Sequence, residues 1–289
     1  MFNMPLEAFT QDESYPFFIQ FGEHTESLFL HTHDNFCELV VVQSGHAEHI
    51  LDGERYPISK GDIFVISGKT EHGYENPVNF HICNIMFRMN FLNLSNMDIS
   101  SSAGFQALFV LEPHQTRSIG FQSCLRLLSK DFAEIDLFIL KIYDEYTERR
   151  IGWKTIVKAE FLQLVVMLSR LCESESFENS TGLVKLAPAI AHIEKHYQEP
   201  LSVAELAEMS HYSERQFIRL FKAAFDCVPL QYITRLRMHN AQELLINTQL
   251  PVTEIAYRCG YSDSNYFSKL FQREVGFSPR DFRKCRNGR

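Results

Sequence analysis

The stretch LSVAELAEMSHYSERQFIRLFKAAF, residues 201–225, returns in altered form as LPVTEIAYRCGYSDSNYFSKLFQREV, residues 250–275. Val203, Glu205, Leu206, Ala207 and Tyr212 match Val252, Glu254, Ile255, Ala256 and Tyr261 at a spacing of 49. Phe217, Leu220, Phe221 and Pro229 then match Phe267, Leu270, Phe271 and Pro279 at a spacing of 50. Self-similarity at a fixed spacing marks a duplicated supersecondary unit, and the step from 49 to 50 puts one extra residue in the second copy's turn. Each copy reads as a short helix, a turn and a longer helix. Ser202 with Glu205 and Ser213 with Gln216 have capping-box spacing, so helices are expected from about 203 and 214. Pro251 and Asp263 hold the corresponding starts in the second copy. Pro229 and Pro279 suit the first position of a helix, where no amide hydrogen is needed. Between the copies, Tyr232, Ile233, Leu236, Ala241, Leu244 and Leu245 form a helical stripe, a rod of roughly 27 Å at about 1.5 Å per residue. The expected order is one helix-turn-helix over about 202–225, a connecting helix over 229–247 and a second helix-turn-helix over about 252–275.

This half resembles the AraC/XylS family of bacterial transcription regulators. The residues that carry the resemblance are Ala204-Glu-Leu-Ala207 with Ser213, Phe217 and Leu220-Phe-Lys222, then Ile255-Ala256, Cys259-Gly-Tyr261, Tyr266-Phe-Ser-Lys-Leu-Phe271 and Gly276-Phe-Ser-Pro279. His211 stands where the family usually has Gly, which predicts a tighter turn or a residue in the left-handed region. The resemblance implies double-stranded DNA as a partner, a small-molecule effector, contact with RNA polymerase, a homodimer, and activation as the commoner mode. Helical spacing turns Phe217, Leu220 and Phe221 inward, as it does Phe267, Leu270 and Phe271. Arg215, Gln216 and Arg219 face outward in the first unit, and Ser264, Asn265, Ser268 and Lys269 in the second. Arg bonds guanine bidentately and Gln or Asn bonds adenine, so these are the expected base readers. Lys222, Arg237, Arg273 and Arg280 are expected on phosphates, which position a duplex without specifying its sequence. A solvated helix face accounts for any one of these residues and not for the set. Adjacent major grooves on one side of B-DNA lie about 34 Å apart, so the connecting helix is long enough for one chain to read both.

The 289 residues carry a net charge of −8, which by itself argues against a polyanion partner. The average conceals a division. Residues 183–289 hold 15 Lys and Arg against 11 Asp and Glu, a net of +4, and the remainder carries −12. With 45% hydrophobic residues and 25 Phe, the chain has apolar area for two cores. Its longest apolar run, residues 161–172, is broken by Gln163, Ser169 and Arg170, so no membrane partner is expected. Seven Cys without metal-binding spacing, behind an N-terminus lacking an export signal, point to reduced thiols in the cytoplasm.

Residues up to about 113 show short apolar runs broken near Ser44-Gly45, Asp52-Gly53 and Ser67-Gly68, the pattern of an antiparallel β sandwich or barrel. Residues 80–87 and 105–111 read as two further strands. From about residue 120 the period turns helical: Phe121, Leu125, Leu128, Phe132, then Leu137, Leu140, Ile142, Tyr143 and Tyr146, then Phe161, Leu164, Val165, Leu168 and Leu171. These stripes cover the barrel, and one of them is also a candidate dimer face. Within the β region, His31-Thr-His33, Glu38 and Gly45, followed by Gly61, Ser67, His72 and Asn76, resemble the two cupin motifs, with Ser67 and Lys69 departing from the usual Pro and Gly. The HTHD, ELV and GDIFVI stretches are most similar to regulators of rhamnose and other sugar operons. Three readings of His31, His33, Glu38 and His72 stand open: a divalent-metal site, a polar pocket that with Tyr74 and His81 binds a polyol or similar effector, and a satisfied buried cluster. His24, His46 and His49 are expected at the surface. Phe9, Tyr15, Phe17, Phe18 and Phe21 form an arm that closes over the ligand or packs on the barrel wall.

The expected fold is α+β in two domains: a cupin-type sensor barrel over 1–117, helices over 118–172 for dimerisation, a linker over 173–182, and an all-α DNA-binding domain over 183–289. No nucleophile, carboxylate pair or phosphate loop accompanies the histidines, so no enzyme is expected. The competing class is a metal-dependent cupin enzyme, or a metal sensor, fused to a DNA-binding domain.

Overall fold

The computed structural model describes residues 2–10, 12, 15–34, 36–67, 70–92, 97–114, 125–174 and 182–287. The chain divides into two compact units, Met1–Pro188 and Ala189–Arg289. The expected linker lies largely at 175–181, outside the described residues.

The first unit is built on an eight-stranded sheet: β1 (Phe2–Pro5), β2 (Phe17–His24), β3 (Leu28–Asp34), β4 (Cys37–Leu51), β5 (Glu54–Ser59), β6 (Asp62–Ser67), β7 (His72–Phe87) and β8 (Leu125–Arg126). Its frame is the antiparallel pairing of the two long strands, from Cys37↔Phe87 to Leu51↔His72. The first half of β4 also pairs with β6 and its second half with β5; β7 pairs with β3 at its start and with β2 at its end. Register shifts between Val42 and Glu48 separate these halves, and bulges bend strands. The turn expected at Ser44-Gly45 is therefore such an irregularity inside one 15-residue strand. Gly45 is required there: at φ +70° a Cβ would lie 2.2 Å from the carbonyl oxygens of Val78 and Asn79. The interior side chains of both halves meet in one cluster, Val40, Val42, Ala47, Ile58, Phe64, Ile66, Tyr74, Phe80 and Ile82.

The other face of the sheet is buried as well, which is why residues 39–42 are continuously apolar and not alternating. Helices α1 (Met89–Leu92), α2 (Ala103–Phe105), α3 (Ser129–Glu148) and α4 (Trp153–Ser174) belong to this unit. Phe161 of α4 packs on Phe17 and Phe87, with ring centroids 5.1 and 4.9 Å apart. Two expectations fail here. Residues 105–111 are helical, ending α2 and continuing as a π-helical stretch, Gln106–Leu111. A short run buried almost all round has no period that separates helix from strand. The start of the expected helical stripe, at 121, lies outside the described residues; within them the stripe fails at Leu125, which pairs in β8, and at Leu128, an exposed N-cap, and α3 starts at Ser129. The buried stripe of α3 is Phe132, Ile135, Ile139, Ile142 and Tyr146, while Leu137 and Leu140 are exposed.

α5 (Ala187–His196) spans the boundary between the units, and the second unit contains α6 (Val203–Met209), α7 (Glu214–Phe225), α8 (Pro229–Asn247), α9 (Val252–Arg258), α10 (Ser264–Val275) and α11 (Pro279–Asn287). The duplication is visible in its caps. Ser213 accepts from the Gln216 amide, and Asp263 from those of Asn265 and Tyr266. Asp226 and Gly276, 50 residues apart, both close their helices in the left-handed region. Ser202 occupies the N-cap of α6 without a side-chain cap bond, unlike the capping box its spacing suggests. His211 is left-handed at φ +51°, as is Gly260 at the equivalent place, φ +81°. Phe217 and Phe221 are fully buried, and so are Phe267 and Phe271, which pack with Met238, Ala241 and Leu245 of α8.

Candidate functional sites

In the first unit, β7 lies between β3 and β4 and carries the site's register. His31 pairs across from His72, and Tyr74 across from His49. Alternation places His33 on the same face of β3 as His31. Glu38 opens β4. One ligand atom from each of His31, His33, Glu38 and His72 falls within 4.8 Å of the others, and all four side chains are buried. The Glu38 carboxylate lies 3.2 Å from His33 Nε2 and 3.4 Å from His72 Nε2. The imidazole centroids of His31 and His72 are 4.3 Å apart, and those of His33 and His72 are 4.6 Å apart. Nδ1 of His31 donates to the Phe29 carbonyl and Nδ1 of His72 to that of Thr70, each at 3.1 Å. Both nitrogens of His33 lack a hydrogen-bond partner among the described residues.

Burial dominates the electrostatics. It pulls the His33 imidazole down to about 3, helped by His72 and His31 and opposed by Glu38. Burial also pushes the Glu38 carboxyl up, but the His72 hydrogen bond and the neighbouring imidazoles prevail and hold it well below the usual carboxylate range. The Tyr74 phenol is pushed well above its ordinary value by burial and then by Glu38, and its hydroxyl is without a hydrogen-bond partner among the described residues.

Phe36 stacks on His33 at 4.3 Å and belongs to a cluster with Leu6 and Met86, against which Phe9 and Phe18 pack. β1 runs parallel to β3 across the histidines, Phe2 opposite His31 and Met4 opposite His33. Part of the aromatic arm thus backs the site. Phe17 and Tyr15 pack toward the helices and Phe21 against Tyr143.

Two expectations are corrected. His81 does not join the cluster: it alternates with the interior residues Phe80 and Ile82, and it bonds Ser44 at 2.9 Å and faces Glu23 at 3.7 Å. His49, expected at the surface, is fully buried, stacked on Phe64 at 4.8 Å and 5.5 Å from the Tyr74 ring. The register shifts between Val42 and Glu48 reset the alternation, so counting by twos from Glu38 assigns it to the wrong face. His24 is half-buried beside Tyr74 and Phe80, and His46 is exposed.

In the second unit, Arg215, Gln216, Arg219 and Lys222 are exposed on α7, opposite its buried Phe217, Leu220 and Phe221. On α10, Asn265 and Lys269 are exposed; Ser264 and Ser268 are half-buried, and the Ser268 hydroxyl turns back to the Ser264 carbonyl at 2.8 Å. Arg273 is exposed and pairs with Glu274, and Arg280 is exposed at the start of α11. Arg237, expected on a phosphate, is engaged inside the domain. Its guanidinium donates to the carbonyls of Tyr197 (2.6 Å), Glu199 (2.9 Å) and Gly260 (3.3 Å) and lies over the Tyr261 ring. It ties α8 to two turns. Tyr266, by contrast, was missing from the expected readers: it is 58% exposed beside Asn265, at the position equivalent to Gln216, and the 50-residue spacing was the signal for it.

The AraC-like ligand binding domain family matches residues 15–140, and a helix-turn-helix domain family matches residues 206–285. The HTH-type transcriptional activator RhaS of Escherichia coli O139:H28 (strain E24377A / ETEC) is 30% identical over 258 residues, 89% of this chain and 88% of that protein. RhaS of Escherichia coli O1:K1 / APEC is 29% identical over 256 residues, with the same coverage. Among solved structures, the DNA-binding domain of AdpA in complex with a target DNA is 33% identical over 35% of this chain and 91% of that one, with a TM-score of 0.34.

Proposed function

Because the chain belongs to the AraC family of transcription regulators, we propose that it is a cytoplasmic activator whose affinity for an asymmetric DNA site is set by a small polar effector held in its β unit. The observation that carries the DNA reading is the duplication itself. Two helix-turn-helix units share left-handed turns and helix ends, and each presents Arg, Lys, Gln or Asn on its exposed face. Arg215, Gln216 and Arg219, with Asn265 and Lys269, read bases; Lys222, Arg273 and Arg280 meet phosphates. Activation, and with it contact to RNA polymerase, is carried over from relatives named as transcriptional activators.

The effector lies among His31, His33, Glu38, His49, His72 and Tyr74, where imidazoles, a carboxylate and a phenol offer donors and acceptors inside an apolar shell, a setting that suits a sugar or related metabolite. It acts by binding one arrangement of the protein better than another. The exposed Leu137 and Leu140 of α3 supply apolar surface for a homodimer. No helix among the described residues is long and apolar enough to cross a membrane.

Selection from random duplexes tests the DNA reading. A preferred site bound roughly 10³-fold or more tighter than random sequence is expected at physiological salt, with Arg219→Ala weakening the preferred site far more than random DNA. Equal affinity for all sequences would overturn it. A thermal-shift screen of sugars and hydroxy acids tests the effector, since a ligand at 100 times its Kd stabilises the fold by about 2.7 kcal/mol.

A further inference from the structure

We propose that Tyr266 makes the second helix-turn-helix unit selective for thymine, its ring lying against the C5 methyl of one thymine in the major groove. The inference rests on the DNA reading above and adds an apolar contact to the polar ones assigned to Arg215, Gln216, Arg219, Asn265 and Lys269. Tyr266 stands 50 residues from Gln216, at the same place in the second copy. Helical spacing puts it on one face of α10 with Asn265 and Lys269, opposite the buried Phe267, Leu270 and Phe271. Asp263 caps its amide and that of Asn265, so it lies in the first turn of the helix. The first residues of a recognition helix are the ones that meet base edges.

The exposed ring is also braced. Its centroid lies 6.2 Å from that of Tyr261, which packs on Phe267 at 5.5 Å and has the Arg237 guanidinium 5.2 Å over its face. Arg237 is in turn tied to the carbonyls of Tyr197, Glu199 and Gly260, so Tyr266 stands at the end of a line of contacts anchored in α8. A tyrosine has only two side-chain torsions to fix, and a braced one loses still less freedom on binding. Of the four bases, thymine alone presents an apolar group in the major groove, its methyl, and the carbon surface of a phenol ring matches it. The ring lacks the paired donor and acceptor that an amide brings to adenine, so Tyr266 reads a different feature from Gln216 at the equivalent position.

The test uses the full-length chain on the duplex that selection yields. Each thymine of the segment that Lys269→Ala weakens is replaced in turn by uracil, which removes the methyl and keeps every hydrogen-bonding group. At one thymine the replacement is expected to weaken binding about fourfold, the worth of one buried methyl group. The same replacement should have no effect in Tyr266→Ala, while Tyr266→Phe and Tyr257→Ala keep the fourfold dependence. Tyr257, an exposed tyrosine of α9, controls for the loss of an aromatic side chain elsewhere in the unit. Changing protein and DNA together cancels any effect of the methyl on the duplex alone. An unchanged footprint over the first unit's segment shows that Tyr266→Ala has folded. A segment without thymine, a parent indifferent to every uracil, or a dependence that survives in Tyr266→Ala overturns the proposal and leaves the DNA reading standing. A chain with no preferred duplex refutes the DNA reading and the proposal with it.

Discussion

His211 and Gly260 occupy equivalent turns of the two helix-turn-helix units, both left-handed, and their substitutions should act in opposite directions. An L residue in that region costs roughly 1–2 kcal/mol that glycine does not. The greater freedom of glycine in the unfolded chain takes back up to about 1 kcal/mol, so His211→Gly should stabilise by about 0.5–1 kcal/mol. Gly260→Ala acquires the left-handed cost and more. Its Cβ would lie 2.2 Å from the Gln198 carbonyl oxygen, an approach relieved only by moving backbone. That movement pulls on the Tyr197 and Glu199 carbonyls that Arg237 binds, and each charged hydrogen bond lost adds about 1.5–3 kcal/mol. The total is on the order of 3–5 kcal/mol, a large part of the roughly 5–15 kcal/mol that holds a domain folded. Denaturant titration followed by far-ultraviolet circular dichroism measures both. The single tryptophan, Trp153, lies in the first unit and provides the reference signal. If the two substitutions shift the midpoint in the same direction, or His211→Gly destabilises by more than about 0.5 kcal/mol, the equivalence of the turns is refuted.

Arg237→Ala should destabilise by about 3 kcal/mol or more and weaken all DNA binding through the fold. Arg219→Ala, on an exposed face, should change stability by less than about 0.5 kcal/mol and cost about 1–3 kcal/mol at the selected site; the reverse ranking in paired melting and binding assays would contradict their assignment. Tyr74→Phe should leave the melting temperature unchanged or raise it while weakening effector binding, and a marked drop in melting temperature would make the hydroxyl structural. Burial raises the Glu194 carboxyl above its ordinary value of 4.5, against the hydrogen bond from Tyr232, so its ionised form is penalised in the fold. That penalty is absent well below pH 4.5 and full above the folded pKa. Glu194→Gln should therefore exceed the parent in stability at pH 7, with the gap closing as the pH falls toward 4; a gap that widens on acidification refutes the assignment.

The helical half was legible because its signals are local. Ser213, Asp263, Pro229 and Pro279 punctuate helices within three or four residues, and α8 spans Pro229–Asn247, the range its stripe and its proline predict. The duplication then tested each reading twice. The β half was legible as strands and only partly as a site. His31, His33, Glu38 and His72 fall where alternation puts them, but His49 lies beyond bulges in β4 that shift the phase, which no period-two count foresees; His81 keeps the period of His72, Tyr74, Phe80 and Ile82 and falls on the other face of β7. Arg237 was misread for another reason: a helix-surface arginine shows in sequence neither the carbonyls it will meet nor the ring it will cover. Leu137 and Leu140 show the same limit on α3, where two overlapping stripes were apolar and packing chose the other.

One chain carries two helix-turn-helix units joined by a 19-residue helix about 28 Å long, and presents both to one duplex. A hydroxyl-radical footprint of the full-length protein on its selected duplex tests that directly. Two protected major-groove segments about one helical turn apart are predicted for each chain, with Arg219→Ala weakening one segment and Lys269→Ala the other. A single protected segment per chain, or both variants weakening the same segment, would contradict it.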